Sequence, residues 1–453
     1  MDTETLAYFP TRSRNRARIT YLFGALGGIL FGYDSGVIAG ALQFIRKDMV
    51  LNAQLQGMVV GGLLLGAMIG AFGTGQIADR FGSRKMLIGA GVMFIVTSVL
   101  SALAPDPLTL IAARVLIGIT IGVSTVQVPL YLSEIAPKHI RGGLASMNQL
   151  AVATGILLSY VLCYLLAGHG QWRWMLGLAA VPSVFLTIGM IFQPDSPRWL
   201  VRQGRVDEAR RVLEITNTPE DAAESLREIR EANQTSNSVR VIDVLRSRAL
   251  RPIVISVFGL AVLQQALGIN TIVYYAPTIL RAAGFGESAA LLNSVGLGVL
   301  SIIMTIFAAR VVDRVGRRPL LIGGALVMAA SMATLGCVFH FGGPATAHGS
   351  VIAVAALAVF KAAFSFSWGP VVWVMMPELL PMRIRARTMS AAALAMFLMN
   401  FIVASTFPAL LEMGPASAFG AFSACCLIAF LFAIYRIRET AGLSLEEIEK
   451  DTV

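Results

Sequence analysis

Twelve apolar stretches of about 19 to 30 residues, separated by charged clusters, run through the chain. A helix of that length crosses a hydrocarbon core of about 30 Å. The stretches lie at about 19 to 45, 53 to 77, 86 to 104, 107 to 133, 142 to 168, 174 to 193, 252 to 280, 288 to 309, 319 to 341, 349 to 377, 388 to 411 and 416 to 435. Hydrophobic residues make up 56% and charged residues 14% of 453 positions. Soluble domains carry about 25% charge, so a soluble enzyme is excluded and an all-α integral membrane protein is expected. The net charge of +10 does not call for nucleic acid, because such proteins gather Lys and Arg in cytoplasmic loops. Cys163, Cys337, Cys425 and Cys426 all fall inside apolar stretches, which indicates neither a disulfide framework nor a zinc site. The N-terminal 18 residues lack an apolar core, so no cleavable signal peptide is expected.

Orientation follows from counting. The N-terminal tail, the even-numbered connections and the C-terminal tail hold 30 Lys and Arg, the odd-numbered connections four and the spans two, which places both termini in the cytoplasm. The chain divides into an N-terminal half (1–193), a cytoplasmic helical linker (194–251), a C-terminal half (252–437) and a short cytoplasmic tail (438–453). Residues from Arg205 and from Glu220 show apolar spacing of three and four, which predicts short amphipathic helices in the linker; a separate signalling module is the alternative.

The halves repeat. GQIADRFGSRK at 75 aligns Asp79 with Asp313 of ARVVDRVGRRP, an offset of 234. LSEIAPKHIRG at 132 aligns Glu134 with Glu378 and Arg141 with Arg385, and PDSPRWL aligns Asp195 with Glu439, both at 244. Two pseudo-symmetric six-helix bundles with a midplane site between them are the expected architecture.

Three charges stand well inside the spans: Asp34, Arg114 and Lys361. Each costs on the order of 2.5 to 3.5 kcal/mol to insert and needs a partner, a water-filled cavity or a function. Asp34 and Arg114 share the first half and have opposite sign. As a pair they form a proton-coupling device: a protonated carboxyl releases the arginine, an ionised one recaptures it. A static ion pair joining two helices is the alternative. Lys361 either lines the cavity or snorkels. In the seventh span Gln264, Gln265 and Asn270 carry amides, which suit the hydroxyls of a neutral polyol, and Tyr274 and Tyr275 follow before Pro277, read as a helix breaker. Gln149 of the fifth span is placed to face them, and Trp373, three residues after Pro370, offers an aromatic face to a ring; tying helices together or filling a gap is the alternative for each. No P-loop, HExxH, CxxC or paired catalytic carboxylates occur, so neither enzyme chemistry nor ATP-driven pumping is indicated.

Taken together, FGYDSGVIAG, VPLYLSEIAPKHIRG, PDSPRWL, QQALGINTIVYYAP, DRVGRR and GPVVWVMMPELLP resemble the sugar porter family of the major facilitator superfamily, in order and spacing over essentially the whole chain. The resemblance implies the major facilitator fold and a bacterial-type proton and monosaccharide symporter working by alternating access. It implies a sugar-contacting set of Phe31, Gln149, Gln264, Gln265, Asn270, Tyr274 and Trp373. An Asp at position 34 paired with Arg114 looks like the proton-driven members, where passive facilitators usually carry Asn. The resemblance also implies a cytoplasmic gate network of Asp79, Arg80, Arg84, Glu134 and Arg141 in one half, and Asp313, Arg314, Arg317, Glu378 and Arg385 in the other. A monomer in a bacterial plasma membrane is expected, with the proton gradient in place of any cofactor. Departures are Ser301, Met396 and Phe397, where many members carry amides or Trp, Ser83 in the first GRR motif, Asp195 for Glu, RETAG for PETKG, and Lys361 in the tenth span. A sugar or inositol uniporter, a non-transporting sugar sensor and a drug effluxer are the alternatives; the short tail argues against the sensor and the amides against the effluxer.

Overall fold

The computed structural model describes residues 11–135, 141–216, 219–234, 250–342, 346–380 and 382–439. Its helices are α1 (Thr11–Met49), α2 (Ala53–Phe81), α3 (Ser83–Leu103), α4 (Pro107–Ile135), α5 (Arg141–Leu166), α6 (Trp172–Gly177), α7 (Ala180–Ile191), α8 (Pro197–Arg202) and α9 (Val206–Thr216). They continue with α10 (Pro219–Gln234), α11 (Arg251–Ala266), α12 (Ile269–Ala282), α13 (Glu287–Val315), α14 (Arg317–His340), α15 (Ala347–Phe366), α16 (Trp368–Glu378), α17 (Met382–Met413) and α18 (Pro415–Arg436). Among the described residues, twelve helical segments are long and apolar enough to span a membrane. Spans 6, 7 and 10 are each made of two pieces: α6 with α7, α11 with α12, and α15 with α16.

The breaks lie where backbone sterics put them rather than at the prolines. Span 7 bends at Gly268, whose φ of 87° only a residue without Cβ adopts at little cost. A Cβ there would also lie 2.7 Å from the Phe422 ring. Pro277, expected to break the helix, lies inside α12, so that expectation is corrected: the bend comes nine residues earlier. Span 10 breaks at Ser367 (φ −122°, ψ −88°). Pro370 is the third residue of the helix that follows, where its missing N–H has no intrahelical partner to lose.

Glycines set the packing, as expected where lipid removes the hydrophobic drive between helices and close backbone contact must replace it. A Cβ on Gly66 of α2 would lie 1.9 Å from the Val115 carbonyl oxygen of α4, and one on Gly118 of α4 2.0 Å from that of Leu63. Between α1 and α5, a Cβ on Gly32 would lie 2.0 Å from the Val152 carbonyl oxygen. Gly57 makes a similar approach to Ser405 at the seam between spans 2 and 11. Exposed Leu103, Phe185, Ile188, Ile303 and Phe307 form part of the outer apolar surface.

The sequence repeat is visible in contacts. Gly82 (φ 84°, ψ 150°) joins α2 to α3, and Gly316 (φ 92°, ψ 159°) joins α13 to α14 in the same conformation. Arg84 then donates to the carbonyls of Met190 (3.2 Å) and Ile191 (2.5 Å), while Arg318 donates to that of Ile434 (2.7 Å). Each arginine ties the start of an odd span to the end of the last span in its half. The segment between spans 6 and 7 holds α8, α9 and α10, which bury Leu200, Ala209, Val212, Leu213, Ala222 and Leu226 against one another. Trp199 of α8 packs against Gly82, so this layer docks on the end of the first six spans.

Because Gly66 has backbone on the far side, Gly66→Val forces α2 and α4 apart. Overpacking costs about 1–3 kcal/mol or more. Thermal unfolding in detergent should show a clear loss of stability for this variant. Gly75→Ala, which meets nothing within 4 Å, should leave the transition unchanged.

Candidate substrate and proton site

Asp34 and Arg114 come together in the first half, as their charges predict. Arg114 is 0% and Asp34 1% exposed. One guanidinium nitrogen of Arg114, Nη1, lies 2.8 Å from each carboxylate oxygen. Its Nε donates to the Val59 carbonyl of α2 at 3.2 Å, while Nη2 has no partner among the described residues. Asp34 sits on α1 between Gly32 and Gly36, the glycines that seat α1 against α5, so close packing on one side of the helix positions the acid. Charge-assisted bonds of this length are about twice as strong as neutral ones. The pair can therefore be held in hydrocarbon with its charge cancelled, and protonation of Asp34 would leave Arg114 without its counter-charge.

The amides of span 7 form a chain. Gln264 donates through Nε2 to the carbonyls of Trp368 (2.9 Å) and Gly369 (3.3 Å) in α16. Gln265 donates to Gln264 Oε1 at 3.2 Å, and Asn270 donates to Gln265 Oε1 at 2.6 Å. Residues five apart on a continuous helix face different ways, so the bend at Gly268 is what lets Gln265 and Asn270 meet. An amide has two donor hydrogens and an acceptor oxygen with two lone pairs, so the chain leaves donors and the Asn270 oxygen open to hydroxyls.

Tyr274, 1% exposed, stands one turn after Asn270 on α12. Its hydroxyl accepts from Asn400 Nδ2 of α17 at 3.4 Å and lies beside the Ser35 hydroxyl, within the field of Arg114 and Asp34. Asn400 was not singled out in the sequence. It stands one turn beyond Met396, one of the departures from the family pattern in span 11. The available signal was an Asn inside an apolar span. Phe31 and Gln149 are partly buried, and Trp373 is 41% exposed on the side of α16 away from the fully buried Trp368. Among the described residues, neither Gln149 nor Trp373 is hydrogen-bonded to the amide chain. Trp368 was also missed; its indole donates to the Leu321 carbonyl at 2.9 Å and fixes α16 against α14.

The expected gate residues lie at the end of the bundle that bears α8 to α10. Asp79 pairs with Arg202 of α8, a partner that comparing the halves could not suggest because, among the described residues, the second half shows no such layer. Glu134 accepts from the Ser196 hydroxyl. Burial pushes the Glu134 carboxyl above the usual range, opposed by that hydroxyl and by Arg198 and Arg202. Arg84 lies 3.6 Å from Asp195. Arg317 lies 3.5 Å from Glu378, and Glu439 accepts the backbone N–H groups of Arg317 (2.9 Å) and Arg318 (3.0 Å). Arg80 stands over the Phe81 ring, and Arg314 is exposed. The side chains of Arg141, Asp313 and Arg385 lie outside the described residues. At the opposite end Lys47 of α1 pairs with Glu287 of α13 at 3.0 Å. Nearer the middle, Tyr160 of α5 donates to the Val273 carbonyl of α12 at 2.8 Å, so contacts join the halves on this side.

With this geometry in view, the comparisons with known proteins agree. The "Sugar (and other) transporter" family model matches residues 20–451, and the chain belongs to that family. It is 42% identical to the D-xylose transporter of Levilactobacillus brevis, over 95% of this chain and 94% of that protein. It is 38% identical to the galactose-proton symporter of Escherichia coli, over 94% of this chain and 92% of that one. Among solved structures it is similar to the partially occluded inward-open form of the xylose transporter XylE of E. coli, with a TM-score of 0.83, 30% identity and coverage of 94% and 99%. The fold is that of the major facilitators.

Removing one partner of a buried ion pair costs about 3–5 kcal/mol, because the other charge stays buried alone. Arg114→Gln should therefore unfold at a clearly lower temperature in detergent, and Asp34→Asn combined with Arg114→Gln should recover most of the loss.

Proposed function

We propose that this chain is a proton and monosaccharide symporter in which sugar binds the span 7 amides and the proton binds Asp34. The observation that carries this reading is the fully buried Asp34–Arg114 pair, with Tyr274 of span 7 buried within its electrostatic reach. Gln264, Gln265, Asn270 and Tyr274 form the sugar surface, with Phe31, Gln149 and Trp373 as its remaining walls. A sugar hydroxyl that engages Asn270 or Tyr274 alters the surroundings of Ser35 and Asn400. Through them it alters the balance between ionised Asp34 held by Arg114 and protonated Asp34. The inward proton gradient would then drive sugar in, with no cofactor, through a monomer in a bacterial plasma membrane.

The ion pairs of Asp79, Asp195 and Glu378 and the hydrogen bonds of Glu134 and Glu439 are the gate on the cytoplasmic side, where both termini and α8 to α10 lie. A single exposed pair contributes only about 0–1 kcal/mol, so such a gate needs several acting together. The contacts Lys47–Glu287 and Tyr160–Val273 keep the outer side shut, which supports an inward-facing arrangement. The closest alternative, a uniporter, would use the same amides and leave the buried pair a purely structural tie.

The test is sugar-induced alkalinisation around energy-depleted, unbuffered cells expressing the chain, with xylose, galactose, glucose, arabinose and myo-inositol. A rise in pH with at least one sugar is expected. Asp34→Asn should abolish the rise while sugar exchange across the membrane persists. Sugar entry with no pH change in the unaltered chain would establish the uniporter instead.

A further inference from the structure

Three formal charges stand within the spans, and Asp34 and Arg114 cancel. Lys361 of α15 is 6% exposed and has no hydrogen bond or ion pair among the described residues. The register of its neighbours explains why no acid reaches it. Spans 8 and 10 run in the same direction, and the 3.1 Å contact between the Ser301 and Ser365 hydroxyls sets α13 and α15 level. Lys361 precedes Ser365 by one turn and shares its face, which brings it opposite the neighbourhood of Leu297. From there Glu287 lies about 15 Å and Asp313 about 24 Å along α13. Glu287 is already engaged by Lys47 at 3.0 Å. α12 and α14, also packed on α15, carry no acid, and the one acid of α16, Glu378, lies about 25 Å further along span 10 and pairs with Arg317.

Lys361 also stands at the level of the amide chain. Gln264 reaches the carbonyl of Trp368, just past the break in span 10, and Lys361 lies two turns back along the same span, about 10 Å towards the opposite end. α12 carries Asn270 and Tyr274 in that same direction from Gln264. The Ser301 and Ser365 hydroxyls are engaged with one another, which leaves the ammonium as the strong donor that spans 8 and 10 offer here.

We propose that Lys361 binds a carboxylate on the cargo, so that the preferred substrate is a monosaccharide acid of the uronate or aldonate class rather than its neutral parent. The inference rests on the reading of the span 7 amides as the sugar surface and names the substrate class of that site. Charge accounting favours it. With Asp34 ionised and no cargo, Asp34, Arg114 and Lys361 sum to a formal +1. Protonating Asp34 and loading a neutral sugar raises the sum to +2, whereas loading an acid keeps it at +1. Interior charge is what a bilayer penalises, so an acid cargo lets the empty and loaded forms cross under the same electrostatic load. A buried ammonium also gains a charge-assisted partner that no described side chain supplies.

The experiment is equilibrium binding to the purified full chain in detergent, by isothermal calorimetry. D-Glucuronate and D-galacturonate are compared with D-glucose and D-galactose. At least one acid should bind roughly tenfold more tightly than its parent sugar, as expected for a charge-assisted contact. In Lys361→Gln that acid should weaken to the level of its parent, with neutral-sugar affinity held within about twofold, which also reports that the variant is folded. Lys361→Arg should keep the preference. Neutral sugars binding with no advantage for either acid, or an advantage that survives Lys361→Gln, would overturn the role of Lys361 while leaving the sugar site intact. Binding of neither class would remove the sugar-site reading and this inference together.

Discussion

A carboxylate and a guanidinium held in the hydrocarbon zone are tolerated only while each neutralises the other, and much of the first half is arranged around that condition. Gly32 and Gly36 bring α1 against α5, Gly66 and Gly118 bring α2 against α4, and the Val59 carbonyl takes the Arg114 Nε. Small residues here determine where charge can sit. If α4 were displaced by the width of a methyl group, a 2.8 Å contact would open and two charges would face an apolar interior.

The second half solves a different problem with the same means. A polar surface must be offered at mid-depth without leaving backbone groups unpaired, and broken helices do this where the irregular backbone is covered by protein. Gly268 and Ser367 interrupt spans 7 and 10 at the level where Gln264 meets Trp368. The amide chain is thus a consequence of two backbone bends. Tyr274 of α12 lies near Ser35, which follows Asp34 on α1, so the second half meets the first beside the buried pair.

Much of this was legible in the sequence because membranes impose simple rules. Span length and the repeat at 234 and 244 pointed to the two-bundle architecture, and the lone Asp and Arg in apolar spans identified each other. Local geometry was harder to read. Pro277 looked like the breaker because proline lacks a donor, but a helix kinks sharply where a residue adopts positive φ, and Gly268 gave no pattern of its own among 43 glycines. Asn400 was hidden by attention to Met396 and Phe397, one turn away. Arg202 as the partner of Asp79 could not be inferred from internal symmetry, since among the described residues the layer that carries it occurs once.

The central claim is that sugar and proton occupy one thermodynamic unit spanning Asn270, Tyr274 and Asp34. Linkage then requires that each alter the affinity for the other. The most direct measurement is calorimetric titration of the purified chain with its sugar, at one pH, in buffers of different ionisation enthalpy. The account predicts a binding heat that varies with the buffer in the sense of proton uptake, and loss of that variation in Asp34→Asn. Binding heats identical in every buffer across the pH range would show that sugar binding takes up no proton, and the link between the two sites would be contradicted.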